Sequence, residues 1–165
     1  VVVAVARGGF APARFLCDFL GIPDMACIQV RHYAPGAQQE ARARIRFPLG
    51  GDVRGFRVLV VDDVNDSGDT FRAALDHLGD SGAAAIRTAC LHEKTTTVAP
   101  ADFRAVEVRD WHWIIYPWAV MEDVGGFLRR LPSVPSAEEA ARHQEQTYGI
   151  RLGRRQLERV LELLR

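Results

Sequence analysis

The hydrophobic pattern of the chain predicts strands that alternate with helices. Apolar, mostly β-branched runs predict strands at residues 1–6, 25–32, 57–61, 84–91, 106–108 and 113–116. Apolar residues at helical spacing predict helices at residues 11–20 and 70–78. Because this alternation favours a parallel sheet covered on both faces, we predict an α/β fold with a central, mostly parallel sheet flanked by helices. Residues 35–51 are polar and weakly periodic, which predicts a long loop or a mobile hairpin.

The C-terminal part has a different pattern. Pro132 marks a break, and Ser136 with Glu139 forms an S-x-x-E capping box that predicts a helix. A second helix begins near residue 153, with an apolar stripe formed by Leu157, Val160, Leu161 and Leu164. We therefore predict a domain over residues 1–131 and a helical extension over residues 132–165. The stripe is expected to pack on the body or on a partner subunit. Because arginines cluster nearby, the alternative is that this extension is a small regulatory or nucleic-acid-binding appendage.

Charge and cysteine content narrow the class of protein. Lys plus Arg equal Asp plus Glu at 21 each, so no global basic field attracts nucleic acid or a membrane surface. Any bound anion must therefore be held locally. No apolar run approaches the roughly 20 residues that span a bilayer, and three scattered cysteines favour free thiols in a reducing cytoplasm. The abrupt strand at Val1 suggests that native sequence precedes it.

Residues 58–71, which read VLVVDDVNDSGDTF, carry the clearest chemistry. Four apolar residues predict a buried strand, and Asp62 and Asp63 follow at its carboxyl end, where open α/β sheets bind ligands. The following turn leads into a helix whose first N–H groups favour an anion, and Gly68 permits close backbone approach. Since carboxylates repel phosphate, the two acids should face sugar hydroxyls or a divalent cation. The predicted phosphate loop comprises Asp66, Ser67, Gly68, Asp69 and Thr70.

This string resembles the phosphoribosyl pyrophosphate signature of type I phosphoribosyltransferases. The resemblance implies that Asp62 and Asp63 hold the ribose hydroxyls, partly through Mg²⁺, and that the phosphate loop holds the 5′-phosphate. It also implies that Asp66 acts as general acid/base on the incoming base. Family members commonly carry Thr at the position of Ser67, and a small residue or Lys where Asp69 stands. The presence of Asp69 beside a phosphate has no explanation in the sequence.

Two further segments match the same family. Arg7, Gly8 and Gly9 follow the first strand and resemble the pyrophosphate loop, in which a strained, often cis, peptide directs amides at the leaving group. Arg7 would neutralise pyrophosphate there. Residues 33–51 fall where the family carries a flexible hood that closes over the reacting centre. This segment includes three alternating arginines, Arg42, Arg44 and Arg46. They could face pyrophosphate or form an exposed basic hairpin without a ligand.

The expected base pocket lies further along the chain. Residues 110–118 resemble the aromatic–Ile–x–x–Pro–Trp segment of xanthine-guanine phosphoribosyltransferases and their archaeal-type relatives. By this resemblance Trp113 stacks on the purine, the Ile114 backbone reads the base edge, and Lys94 donates to the 6-oxo group. Such a donor favours guanine, hypoxanthine or xanthine over adenine. The preferred base stays open, because these relatives often have an acidic residue where this chain has Ala119.

The resemblance implies an Mg²⁺-dependent enzyme that transfers 5-phosphoribosyl from phosphoribosyl pyrophosphate to a 6-oxopurine and releases pyrophosphate. It further implies a homodimer or homotetramer. The alternative is a regulatory protein of the same fold that senses phosphoribosyl pyrophosphate or a nucleotide. A third hypothesis is an enzyme that acts on a pyrimidine or another base. The intact Asp66 and the expected hood favour catalysis over sensing.

Overall fold

The structure, a computed structural model, describes residues 1–33 and 42–164. The chain forms two compact units, residues 1–112 and residues 113–165, and each is described by itself. Among the described residues, the first unit holds the sheet and two helices, and the second holds three helices. The predicted α/β fold with a mostly parallel sheet is confirmed.

The sheet has the order β3-β2-β1-β4-β5-β6 within the described residues. Its strands are β1 (Val2–Ala6), β2 (Met25–Tyr33), β3 (Arg42–Phe47), β4 (Arg57–Asn65), β5 (Ala85–Lys94) and β6 (Phe103–Val108). The helices are α1 (Phe10–Leu20), α2 (Asp69–Asp80), α3 (Val120–Leu128), α4 (Ala137–Tyr148) and α5 (Arg154–Glu162). All neighbouring strands are parallel except β2 and β3. Since the chain turns one way from β1 to β2 and the other way from β4 to β5, the switch point lies between β1 and β4.

Both faces of the sheet are covered, as the alternating pattern predicted. On one face, Phe71 and Leu78 of α2 pack against the apolar side chains of β1 and β4. On the other face, Ala13 and Cys17 of α1 pack with the alternate residues of the same strands. The helix α1 ends at Gly21, whose φ of 64° closes the last turn in the left-handed region that glycine adopts without strain.

The strand β4 extends from its predicted end at Val61 to Asn65. Pairing with β5 continues through this extension, since Asp62 lies opposite Cys90 and Asn65 opposite Glu93. Asp62 and Asp63 are therefore residues of the sheet, and they do not lie in a loop beyond it.

Residues 42–47 form a strand in the segment for which the pattern predicted a long loop or a hairpin. The strand β3 pairs antiparallel with β2, so that Arg31 lies opposite Arg44 and His32 opposite Ala43. Residues 34–41, which complete the predicted hood, lie outside the described residues. A hood over the site stays a prediction.

The short strand predicted at residues 113–116 is wrong, because these residues have no regular secondary structure. The apolar run instead buries Tyr116 and packs Ile115 against the core of the second unit. A short apolar run next to Pro117 does not distinguish a strand from an irregular buried segment. The pattern also missed α3, whose Gly125 and Gly126 are poor helix formers. Burial of its apolar residues overrides that weak propensity.

The second unit is built on an apolar cluster that joins its three helices. Ser136 and Glu139 form the predicted capping box at the start of α4. The predicted stripe on α5 buries Leu157, Val160 and Leu161 against α3 and α4. The division of the chain at residue 131 stays a prediction. Within the described part of the chain, no helix combines the length and the apolar character needed to cross a bilayer.

Candidate active site

The predicted site segments of the first unit meet at the carboxyl edge of the sheet. The loop after β1 contains Arg7, the end of β4 carries the two acids, and the phosphate loop leads into α2. Lys94 is the last residue of β5, the neighbour of β4. Because these strands are parallel, their carboxyl ends lie together at the switch point.

Glycines after β1 let that loop lie directly against the end of β4. A Cβ atom at Gly8 would overlap the carboxylate of Asp63, and one at Gly9 would overlap the carbonyl oxygens of Val5 and Val61. The peptide bond between Ala6 and Arg7 is cis, as the resemblance implied for this loop. The structure thus brings the predicted pyrophosphate loop into contact with one of the two predicted ribose-binding acids.

The two adjacent carboxylates are buried at the end of β4. One oxygen of Asp62 accepts the backbone N–H of Asp63 at 2.9 Å, and one oxygen of Asp63 accepts the N–H of Val64 at 2.9 Å. Burial, and after it the charge of Asp63, raises the pKa of Asp62 well above its ordinary value. A cation or a set of hydroxyl donors at this position would offset the cost of ionising Asp62.

The donor set fits Mg²⁺ that is shared with a phosphorylated ligand. Mg²⁺ is usually bound by one or two carboxylates, with substrate oxygens and water completing its coordination, and Asp62 and Asp63 supply such a pair. Within the described residues, no group of three or more His, Cys, Asp or Glu side chains is placed to hold a metal. A pair of carboxylates suits an Mg²⁺ ion whose remaining coordination positions are filled by a ligand and water.

A cavity of about 200 Å³ opens beside the two acids and the phosphate loop. It is lined by Asp62, Asp63, Val64, Asn65, Asp66, Ser67, Gly68, Thr70 and Phe71. Gly68 precedes the first turn of α2 with a φ of 92°, a left-handed conformation that favours glycine. The phosphate loop is thus open, and the acids lie on the wall of the cavity beside it.

Asp69 has a local structural explanation that the sequence did not provide. The Ser67 hydroxyl donates to Asp69 Oδ2 at 2.8 Å, and the Asp69 N–H donates to Ser67 Oγ at 3.3 Å. Asp69 is also the first residue of α2, where negative charge interacts favourably with the helix dipole. A hydrogen bond from the Ser67 hydroxyl to a bound phosphate stays a prediction, because this hydroxyl here donates to the Asp69 carboxylate.

Lys94 and Asp66, predicted separately as base donor and proton acceptor, form an ion pair. The Lys94 Nζ atom lies 2.6 Å from Asp66 Oδ2 and 4.3 Å from the centroid of the Trp111 ring. The Thr96 hydroxyl donates to the Asp66 carboxylate at 3.2 Å and to its carbonyl oxygen at 3.1 Å. Sequence reasoning missed the contacts of Trp111 and Thr96, for which no local pattern is a signal.

The residue before Lys94 in β5, Glu93, is a buried carboxylate. Glu93 accepts hydrogen bonds from Asn65 Nδ2 at 3.0 Å and from the backbone N–H of Ala101, and it pairs with the Arg104 guanidinium at 3.3 Å. Glu93 precedes Lys94 just as Asn65 precedes Asp66, and Asn65 lies opposite Glu93 where β4 pairs with β5. Sequence reasoning missed Asn65 and Glu93. The signal that could have found them is that each directly precedes a predicted site residue, Asp66 or Lys94.

The segment that follows β5 packs on the phosphate loop, and we call residues 95–101 the bracing loop. Asn65 Nδ2 donates to the carbonyl oxygen of Ala99 at 2.9 Å, and the N–H of Val98 donates to the carbonyl oxygen of Ser67 at 3.1 Å. A Cβ atom at Gly68 would lie 2.7 Å from the Cβ of Ala99. The close approach that requires Gly68 therefore comes, in this structure, from the bracing loop.

The other predicted base-pocket residues belong to the second unit. Trp113 packs edge-on against Phe127 with ring centroids 5.8 Å apart, and Ile114 is partly buried in an irregular segment. Lys94 belongs to the first unit. A joint role of these three residues in holding a purine stays a prediction.

Comparison with known proteins gives one family across most of the chain. Residues 1–123 match the family described as phosphoribosyl transferase domain. The chain is similar to a xanthine-guanine phosphoribosyltransferase of Gluconobacter oxydans, with 33% identity over 120 residues, or 71% of this chain and 67% of the relative. The chain therefore spans about two thirds of the length of that relative.

Two solved structures share the fold at similar levels of identity. A purine phosphoribosyltransferase from Pyrococcus horikoshii has a TM-score of 0.63 and 34% identity, over 71% of this chain and 74% of that chain. A hypothetical protein from Neisseria gonorrhoeae, solved with bound ppGpp, has a TM-score of 0.60 and 32% identity, over 71% of this chain and 72% of that chain.

Proposed function

The chain belongs to the phosphoribosyltransferase family, and from that premise we propose that it transfers 5-phosphoribosyl from phosphoribosyl pyrophosphate to N9 of a 6-oxopurine. Guanine, xanthine and hypoxanthine are the bases of this class. The observation that carries the proposal is the ion pair between Lys94 and Asp66 at the cavity beside the phosphate loop. The Lys94 ammonium can donate to a 6-oxo oxygen, and the Asp66 carboxylate can accept the proton of the base.

The proposed reaction divides the site into three parts. The phosphate loop and the first N–H groups of α2 bind the 5′-phosphate, while Asp62 and Asp63 face the ribose hydroxyls. Arg7 and the loop after β1 face the pyrophosphate group. Mg²⁺ held between the two acids and the ligand would supply positive charge that stabilises the leaving pyrophosphate.

The chemistry requires a proton acceptor near the ribose C1 atom. The bond from C1 to the pyrophosphate oxygen breaks, the bond from C1 to the purine nitrogen forms, and C1 gains positive charge between the two events. Asp66 takes the proton that the purine loses, while Lys94 donates to the 6-oxo oxygen. An amino group at that position, as in adenine, would face the Lys94 ammonium with N–H donors, so the hydrogen bond between Lys94 and the base could not form.

The test is pyrophosphate release from phosphoribosyl pyrophosphate with guanine, xanthine, hypoxanthine, adenine and uracil as acceptors. Turnover is expected with at least one 6-oxopurine, to depend on Mg²⁺ and to disappear with a chelator. Asp66→Asn is expected to lower kcat by about 10²–10⁴-fold, with a much smaller loss of affinity for phosphoribosyl pyrophosphate. Asp76→Asn, which changes an exposed carboxylate on α2, is the matched control. Equal losses of kcat and affinity in Asp66→Asn would contradict its role in proton transfer.

A second candidate function is nucleotide sensing. The similarity to the Neisseria gonorrhoeae protein with bound ppGpp supports this candidate, because the same phosphate loop and acids would hold a phosphorylated ribose without reaction. The base panel separates the two functions. Binding of phosphoribosyl pyrophosphate or of a guanine nucleotide, with no turnover of any base, would favour the sensor.

A further inference from the structure

Trp111 covers a buried ammonium although its own side chain is largely exposed. The residue is 58% exposed, whereas Lys94 is 3% exposed. The Lys94 Nζ atom lies 4.3 Å from the centroid of the indole and 2.6 Å from Asp66 Oδ2. The ammonium is therefore held by a carboxylate and by an aromatic face.

This arrangement compensates for the weak directionality of a lysine. An ammonium is a compact charge on a flexible four-carbon chain, so a single carboxylate fixes its position poorly. The indole face of tryptophan attracts a cation more strongly than the other aromatic rings do, and it also excludes water. Trp111 thereby limits the positions that the ammonium can take beside Asp66.

We propose that Trp111 is a positioning residue for base recognition, which acts by holding the Lys94 ammonium beside Asp66. This inference rests on the proposed function, because it deepens the role given there to Lys94. It assigns to Trp111 a task different from the stacking predicted for Trp113. Trp111 orients the Lys94 ammonium toward the 6-oxo oxygen of the base.

The positioning role predicts a selective kinetic effect. In Trp111→Leu the ammonium keeps Asp66 but loses the aromatic face, so the donor is less well directed toward the base. The bracing loop and the phosphate loop are unchanged, because the contacts that join them involve Asn65, Ser67 and Gly68. The steps that involve the base should therefore suffer, and binding of the sugar phosphate should not.

The first experiment compares Trp111→Leu, Trp111→Phe and Phe103→Leu with the wild type. Phe103 is the matched control, since it is an aromatic of β6 with 59% exposure. Trp111→Leu is expected to lower kcat/KM for guanine by about 3–30-fold, the range that one cation–π contact supports. The KM for phosphoribosyl pyrophosphate should stay within about twofold of the wild-type value. Trp111→Phe should recover most of the loss, and Phe103→Leu should behave as the wild type.

The second experiment tests whether Trp111 acts through Lys94. In a Lys94→Met background, Trp111→Leu is expected to cause no further loss of kcat/KM for guanine. Additive losses in the double variant would overturn the proposal, and so would equal changes in the two KM values of Trp111→Leu. If Lys94→Met does not fold, the Trp111 variants decide. The proposal then requires that Trp111→Leu lowers kcat/KM for guanine without changing the KM for phosphoribosyl pyrophosphate, and that Trp111→Phe recovers most of the loss.

A third measurement does not depend on turnover. The side-chain methylene protons of Lys94 are expected to show ring-current-shifted NMR signals in the wild type and in Trp111→Phe, and ordinary shifts in Trp111→Leu. Ordinary shifts in the wild type would overturn the proposal. An enzyme that releases no pyrophosphate with any base, yet shows the shifted signals, would contradict the proposed function and support the contact that holds Lys94. The two failures are thus distinguishable.

Discussion

Buried polar side chains differ between the two compact units. In the first unit, the polar residues buried at the carboxyl edge of the sheet include Asn65, Glu93 and Lys94. Asn65 donates a hydrogen bond to Glu93, and Lys94 forms an ion pair with Asp66. In the second unit, Gln144 of α4 is 1% exposed. Neither its Oε1 nor its Nε2 atom has a hydrogen-bond partner among the described residues. Polar side chains of similar burial are thus hydrogen-bonded in the first unit and, at Gln144, without a described hydrogen-bond partner in the second.

The difference shows which property of a buried polar group indicates a site. Burial alone does not, since Gln144 is more deeply buried than Glu93. Burial together with hydrogen bonding is not sufficient either. Thr88 of β5 is buried and hydrogen-bonded to Asp102, yet it lies six positions before Lys94 and so away from the carboxyl edge. Unlike Gln144 and Thr88, the residues Asn65, Glu93 and Lys94 combine burial, satisfied hydrogen bonds and a position at the carboxyl edge of the sheet. A satisfied network of this kind fixes the orientation of its members.

The largest effect is expected when Glu93 is removed. Glu93→Leu leaves Asn65 Nδ2 and the backbone N–H of Ala101 without their buried acceptor, so the free energy of unfolding should fall by about 2–4 kcal/mol. Urea denaturation measures this change. Glu93→Gln keeps an acceptor oxygen at the same place and should lose less. An unchanged free energy of unfolding in Glu93→Leu would show that the network does not support the site.

A smaller effect of opposite sign is expected at Asp62. Burial, with the charge of Asp63, raises the pKa of Asp62 in the folded protein. Its contribution to stability is therefore complete below the unfolded carboxyl pKa of about 4 and is lost as the pH rises through the raised value. Without ligand or metal, Asp62→Asn should be more stable than the wild type at neutral pH by about 1–3 kcal/mol. It should also remove this loss of stability with rising pH.

Asp102 provides a control of opposite direction for that measurement. Burial tends to raise its pKa, but hydrogen bonds from Thr88 and Arg87 outweigh burial and lower it. The stabilising contribution of Asp102 is therefore present above the unfolded carboxyl pKa and is lost as the pH falls. Asp102→Asn is the comparison variant. Between about pH 5 and about pH 8, its difference in unfolding free energy from the wild type should stay nearly constant, whereas the difference for Asp62→Asn should change with pH. A wild-type stability that does not decline toward neutral pH relative to Asp62→Asn would contradict the assignment to Asp62.

The sequence predicted the parts of the fold that depend on contiguous residues. Helices α1 and α2 lie within two residues of their predicted ends, because glycines and apolar spacing mark them locally. The phosphate loop could be predicted because its residues are consecutive. The end of β4 was predicted too early, since Asp and Asn disfavour strands. Pairing of Asn65 with Glu93 extends the strand nevertheless.

The residues that sequence reasoning missed are linked over long separations. Asn65 and Glu93 lie 28 positions apart, and so do Asp66 and Lys94. These contacts arise from the register between β4 and β5, which no local pattern specifies. The contact of Trp111 with Lys94 depends in the same way on how the chain leaves β6. Candidate site residues could thus be chosen from the sequence, whereas the contacts among them required the structure.

The smallest effect is expected at Gln144, where the same type of substitution as Glu93→Leu should have the opposite sign. Gln144→Leu removes an amide without a described partner and replaces it with a side chain of similar size and good helix propensity. The free energy of unfolding should rise by about 1 kcal/mol, with unchanged pyrophosphate release. Gln146→Leu, an exposed position on α4, should change stability by no more than about 0.5 kcal/mol. If Gln144→Leu destabilised the protein, its amide would have to be hydrogen-bonded in solution, and the contrast between the two units would disappear.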